Sequence, residues 1–146
     1  MRLLVSACLL GCACRYDGGS KPCAAMQRLA EQHELIPVCP EQLGGLPTPR
    51  PPAEIRGKRV VNRDGADVTD AYQKGAAETL RLCRLLHADG AVLKARSPSC
   101  GKGQVYDGTF SGVLVHGDGV TARLLLAHGI PVWTEAETDP FTTQGA

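Results

Sequence analysis

Apolar residues fall along the chain in two patterns. Residues 2–7 (RLLVSA), 34–39 (ELIPVC), 91–95 (AVLKA) and 130–134 (IPVWT) are short apolar runs without polar alternation. Such runs mark strands buried on both faces. Between them, apolar residues recur at helical spacing. Ser20 and Pro22 open a first helix carried by CAAMQRLAEQH, residues 23–33. The clearest helix spans residues 70–90, where Ala76, Leu80, Cys83 and Leu86 or His87 line one face, Thr69 or Asp70 caps the start and Gly90 supplies the stop. A short third helix, GVTARLLLAHG, has Gly129 beyond its end.

Two Gly- and Pro-rich stretches, residues 40–57 and 97–112, interrupt this pattern. The first holds five of the ten prolines and is expected to be irregular. Apolar residues flank Asp64-Gly65, which predicts a hairpin there. Strands alternating with helices predict a Rossmann-like α/β fold: a mostly parallel sheet flanked by helices, with a small hairpin insertion. We expect one domain over residues 1–137 and a frayed tail over 138–146. In such folds ligands bind at the carboxyl ends of the strands.

Composition narrows the function. With 146 residues, 43% hydrophobic and net charge +1, the chain has the balance of a globular domain. Nothing in it points to a polyanionic partner or an anionic membrane, so neither long nucleic acid nor membrane is expected. The N-terminal MRLLVSACLLGCACRYDG has an Arg followed by apolar residues, as signal peptides do. It also carries three cysteines and runs straight into Arg15 and Asp17, so a first strand and loop is expected, in a cytoplasmic protein.

The seven cysteines are the unusual feature: Cys8, Cys12, Cys14, Cys23, Cys39, Cys83 and Cys100. An odd count without a secretion signal argues against a disulfide scaffold. Cys8, Cys39 and Cys100 each follow the end of a predicted strand. A parallel sheet would deliver all three to one edge. Three converging thiolates suit a soft metal or an iron–sulfur cluster and leave one metal position open, whereas a closed zinc site takes four ligands. Cys14 is an additional thiol beside this set, a fourth ligand or a reactive neighbour. Cys83, on an apolar helix face, and Cys23 fit the role of small buried hydrophobes.

The blocks VSACLLG with CRYDG, CPEQLGGLPTPR, LKARSPSCG and VYDGTFSG resemble the TudS-type thiouracil desulfidases, from about Val5 to Glu135. The resemblance implies a [4Fe-4S] cluster held by Cys8, Cys39 and Cys100 with one iron open, supplied by the iron–sulfur assembly machinery. It implies Glu41 and Ser97 as catalytic groups, and a substrate such as thiouracil, 4-thiouridine or its nucleotide, converted to the oxo base and hydrosulfide without electron transfer. In that chemistry a thiophilic iron takes the exocyclic sulfur, Glu41 serves water as general base or proton relay, and Ser97 positions the water or bonds the ring. Cys12 departs from the pattern and receives no role.

Plainer roles stand beside these. Glu41 pairs with Arg50 or is solvated, Ser97 initiates a turn before Pro98, and Arg50 braces the Pro-rich loop. Asp17 and Asp107 shape turns in matching YDG triplets. Two other functions also fit the thiols: a non-catalytic carrier of metal, cluster or sulfur, and a thiol redox sensor using Cys12 and Cys14 with Cys8.

Overall fold

The computed structural model describes residues 1–138. Four strands, β1 (Arg2–Ser6), β2 (Glu34–Val38), β5 (Gly90–Leu93) and β8 (Val132–Thr134), form one sheet in the order β2-β1-β5-β8. Every pairing in it is parallel, with Ser6 opposite Val38 and Val5 opposite Val92. The central strands are sealed on both faces, which is why they contain no polar alternation. Leu3, Val5 and Val92 face a layer containing Leu9 and the helix α1 (Ala24–Gln32), through Met26 and Leu29. Leu4, Ala91 and Leu93 face Leu80 and Cys83 of α3 (Thr69–Leu85) and Ala122 and Leu125 of α4 (Val120–Ala127). The α/β architecture expected from the apolar runs is therefore present.

Several local expectations need correction. The stretch 40–57 contains a one-turn helix, α2 (Pro40–Leu43), and a strand, β3 (Ala53–Arg56). Pro40 occupies the first turn of α2, where its missing N–H costs nothing. Strand β3 pairs antiparallel with β4 (Arg59–Asn62) through a turn at Gly57-Lys58 that the pattern did not predict. The chain also reverses at Asp64-Gly65 as expected, Asn62 and Val68 donating their amides to Ala66 O and Val60 O, each at 2.9 Å. Past Asp64-Gly65 the chain makes one bridge, Val61 to Asp67. A second hairpin, β6 (Gln104–Tyr106) with β7 (Leu114–His116), lies in the other Gly-rich stretch. Helix α3 ends before Gly90, which opens β5; the left-handed residue past its end is His87, with φ of 54°. Asp67, rather than Thr69 or Asp70, accepts the exposed amide at its start, from Thr69 at 2.9 Å. Gly129 does follow α4, with φ of 75°. The tail expected to fray, 138–146, lies outside the described residues except for Thr138, which is buried.

The connection from β1 runs to β2 on one side, and the chain then returns to β5 on the other. The crevice between the carboxyl ends of β1 and β5 is thus a topological switch point, the place where open α/β sheets bind ligands.

Candidate active site

A cavity of about 540 Å³ opens at that edge of the sheet. Cys8 follows β1 in a 3-10 turn over Ala7–Leu10, Cys39 follows β2, and Cys100 lies in the turn after β5. All three line the cavity, with Cys14, Glu41 and Ser97. Cys12 is exposed and does not line it; Cys23 and Cys83 lie elsewhere, Cys83 in the core between α3 and the sheet.

Each thiol is positioned by local chemistry. The turn carrying Cys100 is closed by Gly101 N–H donating to Ser97 O at 2.8 Å, and Ser97 Oγ accepts from the amides of Ser99 and Cys100 at 3.1 Å. A Cβ on Gly101 would stand 2.8 Å from Ser97 O, so the turn requires glycine for close approach. The start of α4 locks the turn from below: Val120 and Thr121 donate their amides to Pro98 O and Ser99 O, at 2.9 and 2.8 Å. Ser97 therefore performs the turn role, and its own hydroxyl proton remains available as a donor.

Ser6, at the end of β1, accepts the Lys94 amide at 2.9 Å and is hydrogen-bonded to the Cys100 thiol. The bond works against the upward push on the thiol, as a hydroxyl donating its proton to the sulfur does. Cys14 is buried against Cys39, with the two thiols hydrogen-bonded, and its carbonyl accepts from Arg50 at 3.1 Å.

Glu41 projects from α2, two residues beyond Cys39. Its Oε2 accepts from Arg50 at 3.3 Å, which leaves Oε1 uncommitted among the described residues. Arg50 is 9% exposed and also donates to Pro47 O and Thr48 Oγ1. It braces the proline-rich loop and holds Glu41 with the same guanidinium.

Burial and the Glu41 carboxylate push the Cys8 thiol up to about 11, and Cys39 and Cys100 upward as well. Burial and the neighbouring thiols push Cys14 up to about 12. Without a cation the four therefore hold their protons, and loading metal must expel protons from whichever become ligands.

The donor set suits a multi-iron cluster. Among the described residues no three His, Cys, Asp or Glu side chains are grouped to hold a single metal ion. A tetrahedral zinc, with bonds of about 2.3 Å, would draw its sulfurs to within about 4 Å of one another. A cluster ties each cysteine to a different iron and so accepts wider spacing, over the same all-sulfur donors.

The two hairpins close the mouth. Glu54 Oε1 on β3 accepts from the amides of Gly108 and Phe110, at 3.0 and 3.1 Å, and Arg56 donates to Gly108 O at 2.6 Å. Phe110 is held between two cations, the Arg56 and Arg63 guanidinium carbons lying 5.9 and 5.6 Å from its ring centre. Gly108, with φ of 93°, takes the left-handed position after Asp107, whose Oδ1 accepts the Thr109 amide at 2.9 Å. Asp17 does the same for Gly19 at 2.8 Å. Both YDG triplets are turns, as expected.

Sequence reasoning missed Ser6, Tyr72, Glu54 and Phe110. The only signal for Ser6 was its place at a strand end beside Cys8. Tyr72 on an apolar helix face resembles any core aromatic.

These elements define an α/β protein whose buried thiols converge beside a carboxylate at the switch point of a parallel sheet, the arrangement of a sulfur- or metal-handling enzyme site. The sequence matches the family described as 2-thiouracil desulfurase over residues 3–137, and the chain belongs to that family. It is 43% identical over 145 residues to YbbK of Bacillus subtilis (strain 168), covering 92% of this chain and 96% of that one. Its structure resembles that of the [4Fe-4S]-dependent thiouracil desulfidase TudS with a TM-score of 0.90 and 44% identity, over 99% of this chain and 96% of that one.

Proposed function

We propose that this protein is a non-redox desulfidase that removes sulfur from thiolated pyrimidines with a [4Fe-4S] cluster held by Cys8, Cys39 and Cys100. The observation that carries this is the convergence of three thiols from adjacent parallel strands on one cavity, Cys8 and Cys100 buried and Cys39 half-buried, with Glu41 and Ser97 in its wall. When bound, the cluster supplies an uncoordinated iron, a thiophilic Lewis acid that polarises the carbon–sulfur bond.

The chain's own residues manage water and protons. Arg50 fixes one oxygen of Glu41, so the other is held in place to take a proton from the attacking water. Oxygen adds to the carbon, the carbon–sulfur bond breaks, and the proton held by Glu41 leaves with the departing sulfur as hydrosulfide. The Ser97 hydroxyl proton, freed by the two amides that occupy its lone pairs, bonds the ring or the water. Water plus thio-base yields oxo base, hydrosulfide and one proton released to solvent, with no electron transferred. Lys21, Arg63 and Arg96 line the cavity and form no salt bridge among the described residues. They suit an anionic substituent, so a thionucleotide belongs with thiouracil and 4-thiouridine among the substrates. The open-iron cluster suits a reducing cytoplasm, where an assembly system would install it.

Anaerobic reconstitution should give a brown protein with about four irons per chain that releases sulfide from 2-thiouracil, 4-thiouridine or its monophosphate. A colourless zinc protein, or a loaded one releasing no sulfide from any of the three, would sink the proposal. The contact of Cys14 with Cys39 supports a second reading, a closed four-thiol carrier. Cys14→Ser separates the two: a three-cysteine site keeps its iron in that variant, and a four-cysteine carrier loses it.

A further inference from the structure

Helix α3 approaches α2 so closely that neither can bear a side chain at the crossing. A Cβ on Gly44 would stand 2.0 Å from Ala71 O, and one on Gly75 2.0 Å from Pro40 O. This crossing brings Tyr72 into the cavity wall beside Glu41. The side chain is 4% exposed. Its hydroxyl has no hydrogen-bond partner among the described residues, yet it is not sealed off, because it keeps contact with the cavity. The titratable groups around it are Glu41, Arg50, Cys100 and Cys39.

A buried tyrosine that serves packing alone normally finds a partner for its hydroxyl. A phenol left open toward a substrate-sized cavity, next to the proton-handling carboxylate, is a polar group awaiting a ligand. Burial and the Glu41 carboxylate push its ionisation upward, so it keeps its proton and acts as a donor.

We infer that Tyr72 is a further catalytic residue of this site, whose hydroxyl donates a hydrogen bond to a ring heteroatom of the thiopyrimidine. The inference rests on the desulfidase function proposed above. Adding water to the carbon that bears sulfur places negative charge on the adjoining ring atoms. A fixed, desolvated donor aimed at that edge stabilises the charge without reorganising. Tyr72 keeps its proton throughout: the water proton goes to Glu41 and leaves with hydrosulfide.

The test is Tyr72→Phe in anaerobically reconstituted protein. Iron and sulfide content and the visible spectrum should match wild type. The value of kcat/KM for 2-thiouracil should fall about tenfold to a hundredfold, and the affinity for the product uracil, measured by calorimetry on the loaded protein, should weaken about tenfold. Unchanged kinetics and uracil affinity would overturn the inference, as would a loss of activity that merely follows a loss of iron. A crystal structure of the loaded wild-type protein with uracil decides the matter without a variant. The Tyr72 hydroxyl within about 3.2 Å of a ring heteroatom supports the inference, and a ring making no contact with it refutes it. If wild type itself releases no sulfide, the parent proposal fails; if wild type turns over and Tyr72→Phe equals it, only the role of Tyr72 fails.

Discussion

Replacing Gly75 by alanine sets two effects of opposite sign against each other. Alanine favours a helix interior over glycine by about 1 kcal/mol. At this position, however, the new methyl would stand 2.0 Å from Pro40 O and 2.8 Å from Pro40 C. A comfortable carbon–oxygen contact is about 3.3 Å, so the helices must separate by roughly 1 Å. The obstacle is backbone, and the carbonyl already accepts the Gly44 amide at 2.9 Å, so no rotamer can yield. Overpacking of this kind sits at the upper end of the usual range, about 3 kcal/mol. The net expectation is a loss of about 2 kcal/mol. Urea unfolding of the metal-free protein should show it as a midpoint lower by about 1 M, for a slope near 2 kcal/mol/M. Lys74→Ala, at the exposed residue just before it in the same helix, should stay within about 0.5 kcal/mol of wild type. Because the separation also moves Glu41 and Tyr72 apart, sulfide release by the reconstituted Gly75→Ala protein should fall further than its iron content. A Gly75→Ala protein as stable as wild type, or more so, would refute this account of the crossing.

Ser6→Ala removes the proton given to the Cys100 sulfur, so the loaded protein should show a lower reduction midpoint in anaerobic titration, with Ser6→Thr restoring it. Ser97→Ala should keep iron while sulfide release falls about tenfold or more, as expected when a positioned proton donor is lost. Hydrogen bonds from Thr69 hold the Asp67 carboxyl below its ordinary range. A carboxyl lowered on folding stabilises above its unfolded value, near 3.8, and loses that contribution as pH falls through its folded value. The stability gap between wild type and Asp67→Ala, read from urea midpoints, should therefore be full at pH 6 and shrink below pH 4.

Much of the fold was legible because buried parallel strands must be continuously apolar. RLLVS and GAVL contain little but core residues, and the helix carrying Leu80 and Cys83 shows its buried face in its spacing. The turn at Asp64-Gly65 was legible, but the longer ladder forms on the other side of β4, because a turn pair reports willingness to bend while register is decided by which strands find partners. The Pro-rich stretch concealed β3 for a related reason. A hairpin strand outside the main sheet has no continuous apolar signature.

The sequence by itself determined the α/β class and the delivery of three thiols to one sheet edge, since a strand's carboxyl end is set by its own residues and parallel pairing does the rest. Tertiary structure alone decided what surrounds those thiols. Tyr72 and Glu41 lie on different helices and meet only where Gly44 and Gly75 let those helices touch. Ser6 finds Cys100 across a strand pairing, and Phe110 finds Arg56 and Arg63 through contact between two hairpins. Local sequence governs dihedral angles and burial pattern; which polar groups face one another depends on distances between segments far apart in the chain.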